Sequence, residues 1–318
     1  MQNRSLLDAI LQSNTIALFS HINADADAIG SLMAIYNYCK EQKKQVFVFL
    51  QKPISQNYNF LGINKVANKK ILASYDLAIG LDCPNVERFG IYQNEFKKAK
   101  FSYSVDHHLG HENFADINIV NSNKSSTCEI LFEIFKKNDV RISKQIATCL
   151  YSGIASDTGR FMHNNTNYEA FCNAGELVKL GADIDLINYC LFSHKSFIEF
   201  DIFRKALSNI EFYENGKIAF IGLTKQILDD SNATPNDTFL IIDFVRGIEG
   251  VDIAVLMTYN KPLEQMVSVR TRKSNAQKIC KFFGGGGHLN ASGCRIFVPF
   301  ENAKKQLIDV CIKELKNE

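Results

Sequence analysis

A short connection between a predicted strand and a predicted helix carries three possible metal ligands. Residues 15–20 (TIALFS) have the composition of a short buried strand, and residues 28–42 have the apolar spacing of a helix. The connection between them contains His21, Asp25 and Asp27. In an open α/β sheet such connections lie at the carboxyl edge of the strands, where ligands bind. Capping of the helix would explain one aspartate, but it explains neither the second aspartate nor the histidine.

Two further predicted strands also end in acidic residues or histidines. One covers residues 76–85 (DLAIGLDCPN) and carries Asp82 where its apolar part ends. The other covers residues 101–108 (FSYSVDHH), and its last three residues are Asp106, His107 and His108. The apolar run of residues 45–50 (QVFVFL) is typical of a strand buried on both faces of a parallel sheet. Because these strands alternate with helices, we expect a mostly parallel sheet, flanked by helices, with one acidic pocket at its edge.

Asp157 adds a carboxylate in a Thr-Gly-Arg turn after an apolar helix over residues 146–150. Carboxylates with fewer imidazoles, and no thiolate, suit Mn²⁺ or Mg²⁺ better than a structural zinc ion. The carboxylates are too numerous for one ion. Two divalent ions about 3.5–4 Å apart, bridged by one aspartate, would favour in-line attack on phosphorus and would lower the pKa of a bridging water from about 15.7 towards neutrality. The candidates are His21, Asp25, Asp27, Asp82, Asp106, His107, His108 and Asp157.

Length and composition narrow the class of protein. With 318 residues, the chain is long for one core and predicts about two domains. Its formal net charge of +2 argues against a protein that grips long duplex nucleic acid. Nine scattered cysteines without a C-x-x-C pair favour a reducing cytosol. The first residues (MQNRSLLDAILQS) predict an amphipathic helix rather than a signal peptide, and no apolar run approaches the roughly 18 residues of a membrane span. We therefore expect a cytoplasmic protein with no membrane partner.

The second half of the chain predicts a mixed sheet. Strand-like patterns occur in residues 217–223, 237–260 and 265–272. The preceding segment is mostly helical and suits a connection between two domains. The predicted α/β organisation is a metal-binding catalytic domain over residues 1–185, a helical linker over residues 186–212, and a smaller mixed-sheet domain over residues 213–318.

Four consecutive glycines, Gly284–Gly287, precede His288 and follow a predicted helix over residues 275–283. Such a run is unfavourable in a strand or a helix, because each glycine loses backbone entropy on folding. We interpret it as a place where the backbone closely approaches a phosphate or a sugar. A flexible hinge is the alternative interpretation.

A predicted helix over residues 125–137 begins with a capping box formed by Ser126 and Glu129. Its free N–H groups, with the hydroxyls of Ser125 and Ser126, could hold a phosphate. The same residues could equally serve only as a cap, and the sequence leaves both interpretations open.

The motifs resemble those of the DHH phosphoesterases. The resemblance rests on His-x-x-x-Asp-x-Asp-x-x-Gly-Ser from His21, on the strand that ends in Asp82, on the Asp106-His-His triplet and on Asp157-Thr-Gly. The GGGGH segment and Ser268-x-Arg270 are similar to the C-terminal domain of the subgroup that contains nanoRNases and pAp phosphatases. Many members read Pro-Asp-Gly-Asp where this chain reads Ala-Asp-Ala-Asp, which alters the turn but keeps both carboxylates.

The resemblance also implies a role for each candidate residue. It implies that His21 and Asp25 hold a first metal ion, and that Asp82 bridges it to a second. The implied ligands of the second ion are Asp27, His107 and Asp157. His108 would contact the scissile phosphate or the attacking water, and Asp106 would orient a histidine. In the C-terminal domain, Arg270 with Ser268 would clamp a terminal phosphate. The residues expected to close over the substrate, in a cleft between the two domains, are Gly285, Gly286, Gly287 and His288.

The resemblance implies a manganese-dependent hydrolase, with magnesium as the second choice of metal. The expected substrates are short single-stranded RNAs (nanoRNA), degraded to mononucleotides, and 3'-phosphoadenosine 5'-phosphate (pAp). A phosphodiesterase of cyclic di-AMP or of its linear product pApA is the alternative, since it would use the same metals. A family II inorganic pyrophosphatase and a nucleotide sensor without catalysis fit less well. Long duplex nucleic acid is not an expected partner, and the sequence allows a homodimer.

Overall fold

The computed structural model describes residues 5–238 and 241–316, and the chain divides into two compact units, Met1–His194 and Lys195–Glu318. The division falls inside the predicted linker over residues 186–212. None of the helices in the described residues is long and apolar enough to cross a membrane.

The first unit is built on a parallel sheet of five strands. The strand order is β2-β1-β3-β4-β5, and every pair is parallel. This confirms the predicted parallel sheet. The strands are β1 (Thr15–Phe19), β2 (Gln45–Phe49), β3 (Leu77–Leu81), β4 (Ser102–Asp106) and β5 (Ile117–Val120).

Two strands differ from what the sequence pattern suggested. The prediction that β2 is buried on both faces is wrong, because β2 is an edge strand and only its last two residues, Val48 and Phe49, are buried. The sequence analysis missed β5, the other edge strand, whose four residues are all at least partly exposed. An apolar run alone therefore does not show whether a strand lies at the centre or at the edge of the sheet.

Helices flank this sheet. Ile16 and Leu18 of β1 pack in one core with residues of these helices, whereas Ala17 and Phe19 face an aromatic core on the other side, as the pleat of a strand requires. The α-helices are α1 (Leu6–Gln12), α2 (Ala26–Glu41), α3 (Ile63–Val66), α4 (Gln93–Phe96), α5 (Thr127–Lys137), α6 (Lys144–Asp157), α7 (Tyr168–Lys179) and α8 (Ile184–Ile187). The remaining helices are two 3₁₀ helices, Gln56–Leu61 and Val86–Tyr92, and a π-helix, Asn188–Ser193.

The second unit is built on a mixed sheet of six strands in the order β10-β11-β9-β8-β7-β6, in which only β7 and β8 pair in parallel. The mixed sheet is as predicted. Its strands are β6 (Ile210–Tyr213), β7 (Ile218–Leu223), β8 (Ile253–Lys261), β9 (Glu264–Thr271), β10 (Gly286–His288) and β11 (Ala291–Ile296). Its helices are α9 (Phe197–Ser208), α10 (Lys225–Asp229), α11 (Ile241–Arg246), α12 (Ala276–Phe282) and α13 (Phe300–Lys316), with a 3₁₀ turn at Pro235–Thr238.

One predicted strand of the second unit is wrong. Residues 237–260 were all expected to be extended, but the described residues from Asp237 to Arg246 lie in the 3₁₀ turn and α11, and only residues 253–260 lie in a strand, β8. Phe239 and Leu240 lie outside the described residues. The buried positions Ile241, Ile242 and Val245 have helical spacing, but so short an apolar run does not distinguish a helix from a strand.

Candidate metal centre and substrate-binding surface

The carboxyl ends of β1, β3 and β4 bring the predicted ligands together. These strands are neighbours and parallel, so the residues that follow them meet at one edge of the sheet. Ser20 Oγ donates to the carbonyl of Leu81 (2.7 Å), which ties the ends of β1 and β3 to each other. The acidic residues predicted for this edge therefore lie close together.

The first group of ligands consists of His21, Asp25 and Asp82. Nε2 of His21 lies 3.5 Å from Oδ2 of Asp82 and 4.0 Å from Oδ2 of Asp25. Oδ1 of Asp25 accepts hydrogen bonds from the N–H groups of Asp27 (3.1 Å) and Ala28 (3.0 Å), so Asp25 is the N-cap of α2. Capping therefore uses one oxygen of Asp25 and leaves the other facing His21.

The second group consists of Asp27, His107 and Asp157. Nε2 of His107 lies 3.3 Å from Oδ2 of Asp157 and 4.0 Å from Oδ2 of Asp27. The same nitrogen lies 3.5 Å from Oδ1 of Asp82. Asp82 thus has one oxygen beside each group, which is the arrangement that a bridging ligand requires. Asp157 is the last residue of α6. The sequence pattern instead predicts that this helix ends near residue 150 and that Asp157 lies in a turn.

Asp106 connects the two histidines that follow β4. Its Oδ1 accepts a hydrogen bond from the backbone N–H of His107 (2.9 Å) and lies 2.7 Å from Nδ1 of His108. Asp106 is fully buried, and the side chain of His108 is 43% exposed. Nδ1 of His108 therefore donates to Asp106, which leaves Nε2 of His108 free to meet a substrate.

Asp27 is held by the N-terminus of α5. The backbone N–H of Thr127 donates to Oδ2 of Asp27 (2.6 Å), and that of Cys128 donates to Oδ1 (2.9 Å). Both residues and Asp27 are fully buried. The free N–H groups at this helix start thus bind a carboxylate of the protein itself, and not an external phosphate.

The contacts of Ser125 and Ser126 favour capping over phosphate binding. Both residues are fully buried. Ser126 accepts a hydrogen bond from the N–H of Glu129 (3.0 Å), which confirms the cap. A capping box would also have Glu129 accept from the N–H of Ser126. Instead, Oε2 of Glu129 accepts from the N–H (2.8 Å) and the hydroxyl (2.7 Å) of Ser125.

Burial of so many carboxylates shifts the pKa values of the cluster. Complete burial, together with the charges of Asp82 and Asp157, raises the pKa of Asp27 well above its ordinary value. Burial raises the pKa of Asp157 to about 6, although its hydrogen bond to His107 acts in the opposite direction. Burial lowers the pKa of His107, but that hydrogen bond and the neighbouring carboxylates outweigh burial and raise it to about 10. The cluster therefore requires positive charge, which protons or bound cations can supply.

The donor set fits divalent metal ions that prefer oxygen and nitrogen. In each group, one ligand atom from each residue lies within 4.8 Å of the others, and no thiolate takes part. Nδ1 of His21 lies 2.8 Å from the carbonyl of Ile22, and Nδ1 of His107 lies 3.4 Å from that of Lys124. Protons on these nitrogens leave both Nε2 atoms, which face the carboxylates, free to bind metal.

Four of the predicted substrate-binding residues lie on one face of the second sheet. The register pairs His288 with Ala291, and Ala291 with Arg270, so the side chains of these residues form a row across β10, β11 and β9. The next row consists of Gly286, Gly293 and Ser268. Since the intervening residues of β9 and β11 are buried, this face is the less covered one. We call it the Arg270 face.

The structure explains the glycines one by one. The prediction that the run cannot form a strand is wrong for its end, since Gly286 and Gly287 belong to β10. Gly284 lies just after the end of α12 and has φ +74°, and a Cβ at Gly285 would lie 2.3 Å from the carbonyl oxygen of Gly293. Gly287 has φ +139° and equally little room. Gly286 alone has neither restraint, because a Cβ there would meet nothing within 4 Å. The fold requires three of the glycines, and Gly286 leaves open space on the Arg270 face.

Arg270 is not free on this face. Its Nε lies 3.3 Å from Oδ1 of Asp243 on α11, and its side chain is 27% exposed. Asp243 is itself half exposed, so water or a ligand can reach the pair. The sequence does not predict this contact, because its pattern predicts a strand where α11 lies.

Three residues that support the metal centre were missed. Thr127 and Lys124 are neighbours in sequence of Ser125 and Ser126, and Gly153 lies on α6 against Asp27. Their contribution depends on how α5 and α6 pack against the strand ends, which no local pattern reveals.

The first unit resembles a known protein family. Residues 15–154 match the family model described as "DHH family, N-terminal domain". This part of the first unit is therefore similar to the DHH family, as its motifs indicated.

Similar proteins align with nearly the whole chain. A probable bifunctional oligoribonuclease and PAP phosphatase NrnA of Streptococcus mutans is 26% identical, and the alignment covers 99% of this chain and 98% of that protein. A bifunctional oligoribonuclease and PAP phosphatase NrnA of Mycoplasma genitalium is 28% identical over 97% of this chain and 96% of that protein. The crystal structure of an exopolyphosphatase-related protein from Bacteroides fragilis is 25% identical, with a TM-score of 0.85 and coverage of 98% and 94%. The similarity thus extends beyond the DHH domain.

Proposed function

We propose that this chain is a manganese-dependent phosphohydrolase that degrades very short oligoribonucleotides to mononucleotides and removes the 3'-phosphate of pAp. The observation that carries the proposal is Asp82, whose two oxygens each face a separate group of carboxylate and histidine ligands. The names of relatives that align over almost the full chain support the choice of substrates.

The proposed centre holds two Mn²⁺ ions, with Mg²⁺ as a possible substitute. His21 and Asp25 would bind one ion and Asp82 would bridge the two. The ligands of the other ion would be Asp27, His107 and Asp157. When bound, such ions neutralise charge on a phosphate and make a water more acidic, so that no amino-acid nucleophile is needed.

His108 is the proposed contact to the scissile phosphate. Its hydrogen bond to Asp106 outweighs burial and raises the pKa of His108 above its ordinary value, which favours the protonated form of the ring. Nε2 of the protonated ring can donate to a phosphate oxygen or to the oxygen of the departing group. Asp106 holds this ring in position and does not itself need to meet the substrate.

The Arg270 face is proposed to bind a terminal phosphate of the substrate. A guanidinium offers paired donors that match a phosphate, and Ser268 and His288 lie on the same face. The open space above Gly286 would let a substrate approach the backbone of β10. Ser125 and Ser126 have no part in this proposal because both are buried in the cap.

The test is hydrolysis of 5'-labelled RNAs from two to about 24 nucleotides long, with pAp, pApA and cyclic di-AMP alongside, in Mn²⁺, in Mg²⁺ and in EDTA. We expect Mn²⁺-dependent loss of the shortest RNAs and of pAp, and no loss in EDTA. Asp82→Ala protein, purified identically, controls for contaminating nucleases. Absence of activity on linear RNA and pAp would refute the proposal, and cleavage confined to cyclic di-AMP or pApA would identify a second-messenger phosphodiesterase instead.

A further inference from the structure

Thr127 is the first residue of α5 and is fully buried. Its hydroxyl donates a hydrogen bond of 2.9 Å to Oδ1 of Asp82. A buried hydroxyl and a buried carboxylate both need partners, because water cannot replace them at this depth. Thr127 therefore links the start of α5 to the carboxylate that lies between the two ligand groups.

This hydrogen bond restrains the rotation of the Asp82 carboxylate. Rotation about the last bond of an aspartate side chain is soft, so only contacts decide which oxygen faces which way. The oxygen bound by Thr127 is the one that lies 3.5 Å from Nε2 of His107. The other oxygen is left to face His21 at 3.5 Å. Asp82 also has φ +55°, a left-handed conformation that fixes where its side chain starts.

The same turn holds the second group through its backbone. The N–H groups of Thr127 and Cys128 bind both oxygens of Asp27, and the carbonyl of Lys124 lies 3.4 Å from Nδ1 of His107. These contacts use main-chain atoms of residues 124, 127 and 128 and do not involve the Thr127 side chain. Only the contact to Asp82 depends on the hydroxyl, so a side-chain substitution can remove it alone.

A buried network makes this turn rigid. Glu129 is fully buried and accepts from Ser125, from Lys124 (3.5 Å) and from Asn173 (3.1 Å). Lys124 also pairs with Glu133. A donor mounted on a rigid turn holds its acceptor better than one on a mobile loop, because less freedom is lost when the bond forms.

We propose that Thr127 is a positioning residue of the metal centre, whose hydroxyl orients Asp82 so that one carboxylate serves both metal ions. The inference rests on the proposed function. A threonine that merely satisfied a core hydroxyl would affect stability, but it would not affect how two ions share one carboxylate.

The test uses the metal-free full-length chain and the variants Thr127→Val, Thr127→Ala and Thr127→Ser. Mn²⁺ uptake is measured by calorimetric titration, and the magnetic coupling between bound ions by electron paramagnetic resonance. Valine keeps the shape of threonine and lacks the hydroxyl, alanine lacks it without placing a methyl group against Asp82, and serine keeps it. Thr148→Val is the matched control, since that buried hydroxyl donates to the carbonyl of Lys144 instead.

Wild-type protein should bind two Mn²⁺ ions with coupled spins. The valine and alanine variants should bind the second ion about 10- to 100-fold more weakly and lose the coupling, which is the usual loss when a partner of a metal ligand is removed. Serine should restore both properties, and Thr148→Val should behave as wild type. Wild-type affinity and coupling in both hydroxyl-free variants, or a serine variant as weak as alanine, would overturn the inference. Wild-type protein without Mn²⁺ uptake would instead overturn the proposed metal centre.

Discussion

Gly153 provides the sharpest test of how the metal centre is supported. It lies in α6, and a Cβ at this position would lie 2.4 Å from Oδ1 of Asp27 and 2.4 Å from Sγ of Cys128. Ordinary contact begins near 3.4 Å, so an added methyl group is too close by about 3.4 − 2.4 = 1.0 Å. In Gly153→Ala, either α6 or the Asp27 carboxylate must move by this order of distance.

We expect Gly153→Ala to reduce activity more strongly than it reduces the free energy of unfolding. Overpacking of a core costs about 1–3 kcal/mol, and alanine recovers about 0.5–1 kcal/mol over glycine within a helix. We expect a net loss of about 0–2.5 kcal/mol, which lowers Tm by at most about 10 °C for a domain of this size. A displacement of about 1 Å at a catalytic centre can cost about 100-fold in rate. Protein that is still folded at room temperature should therefore have lost most of its activity.

Gly175→Ala is the matched control. Gly175 is an exposed glycine in α7, and a Cβ there would meet nothing within 4 Å. This variant should gain about 0.5–1 kcal/mol of stability and keep full activity. Thermal melts, Mn²⁺ titration and hydrolysis of a dinucleotide measure the three quantities in each variant. Wild-type Mn²⁺ affinity and rate in Gly153→Ala would refute the reasoning, because Asp27 would then not need its present position.

Further predictions concern both units. Asp82→Ala should abolish Mn²⁺ uptake and hydrolysis together, since both ligand groups lose a member; retained uptake in a titration would contradict its bridging role. Arg270→Ala should raise KM about 10- to 100-fold, the value of a lost charge-assisted contact, and leave Mn²⁺ affinity unchanged; equal metal loss in both variants would show that Arg270 is misassigned. Mn²⁺ binding should release protons, because His107 (pKa about 10) holds one at neutral pH and Asp157 (pKa about 6) holds another in acid. Affinity should thus fall as the pH is lowered, and calorimetry in buffers of different ionisation enthalpy counts the protons; heats independent of the buffer would refute this. Gly286→Ala should leave Tm unchanged and raise KM, which steady-state kinetics on pAp would test; an unchanged KM would mean that no substrate reaches β10.

The clustering of the candidate metal ligands could be predicted because it follows from the positions of strand ends. Apolar runs that stop at His21, Asp82 and Asp106 indicate parallel strands, and parallel strands bring their ends to one edge. Spacing also revealed the helix that begins after Asp25. These patterns are local in the sequence, so they can be recognised without knowing which strands pair with each other in the sheet.

The supporting contacts could not be predicted because they depend on packing between distant segments. Thr127 and Asp27 are 100 positions apart, and only the closed fold brings the start of α5 onto the start of α2. The same limit explains why composition could not distinguish the four glycines of the run from one another. Composition suggested one cause for four residues, whereas Gly285 is required by the proximity of β11 and Gly286 is not.

Helix ends account for how the protein tolerates a buried group of carboxylates. Asp25 and Asp27 each accept N–H groups at the start of a helix, where the helix dipole stabilises negative charge. Asp157 lies at the opposite end, as the last residue of α6, where the dipole opposes a carboxylate. This position agrees with its raised pKa, for which burial is the first cause. Asp157 is thus poorly stabilised by the protein itself, and its charge depends on His107 and on whatever cation the centre holds.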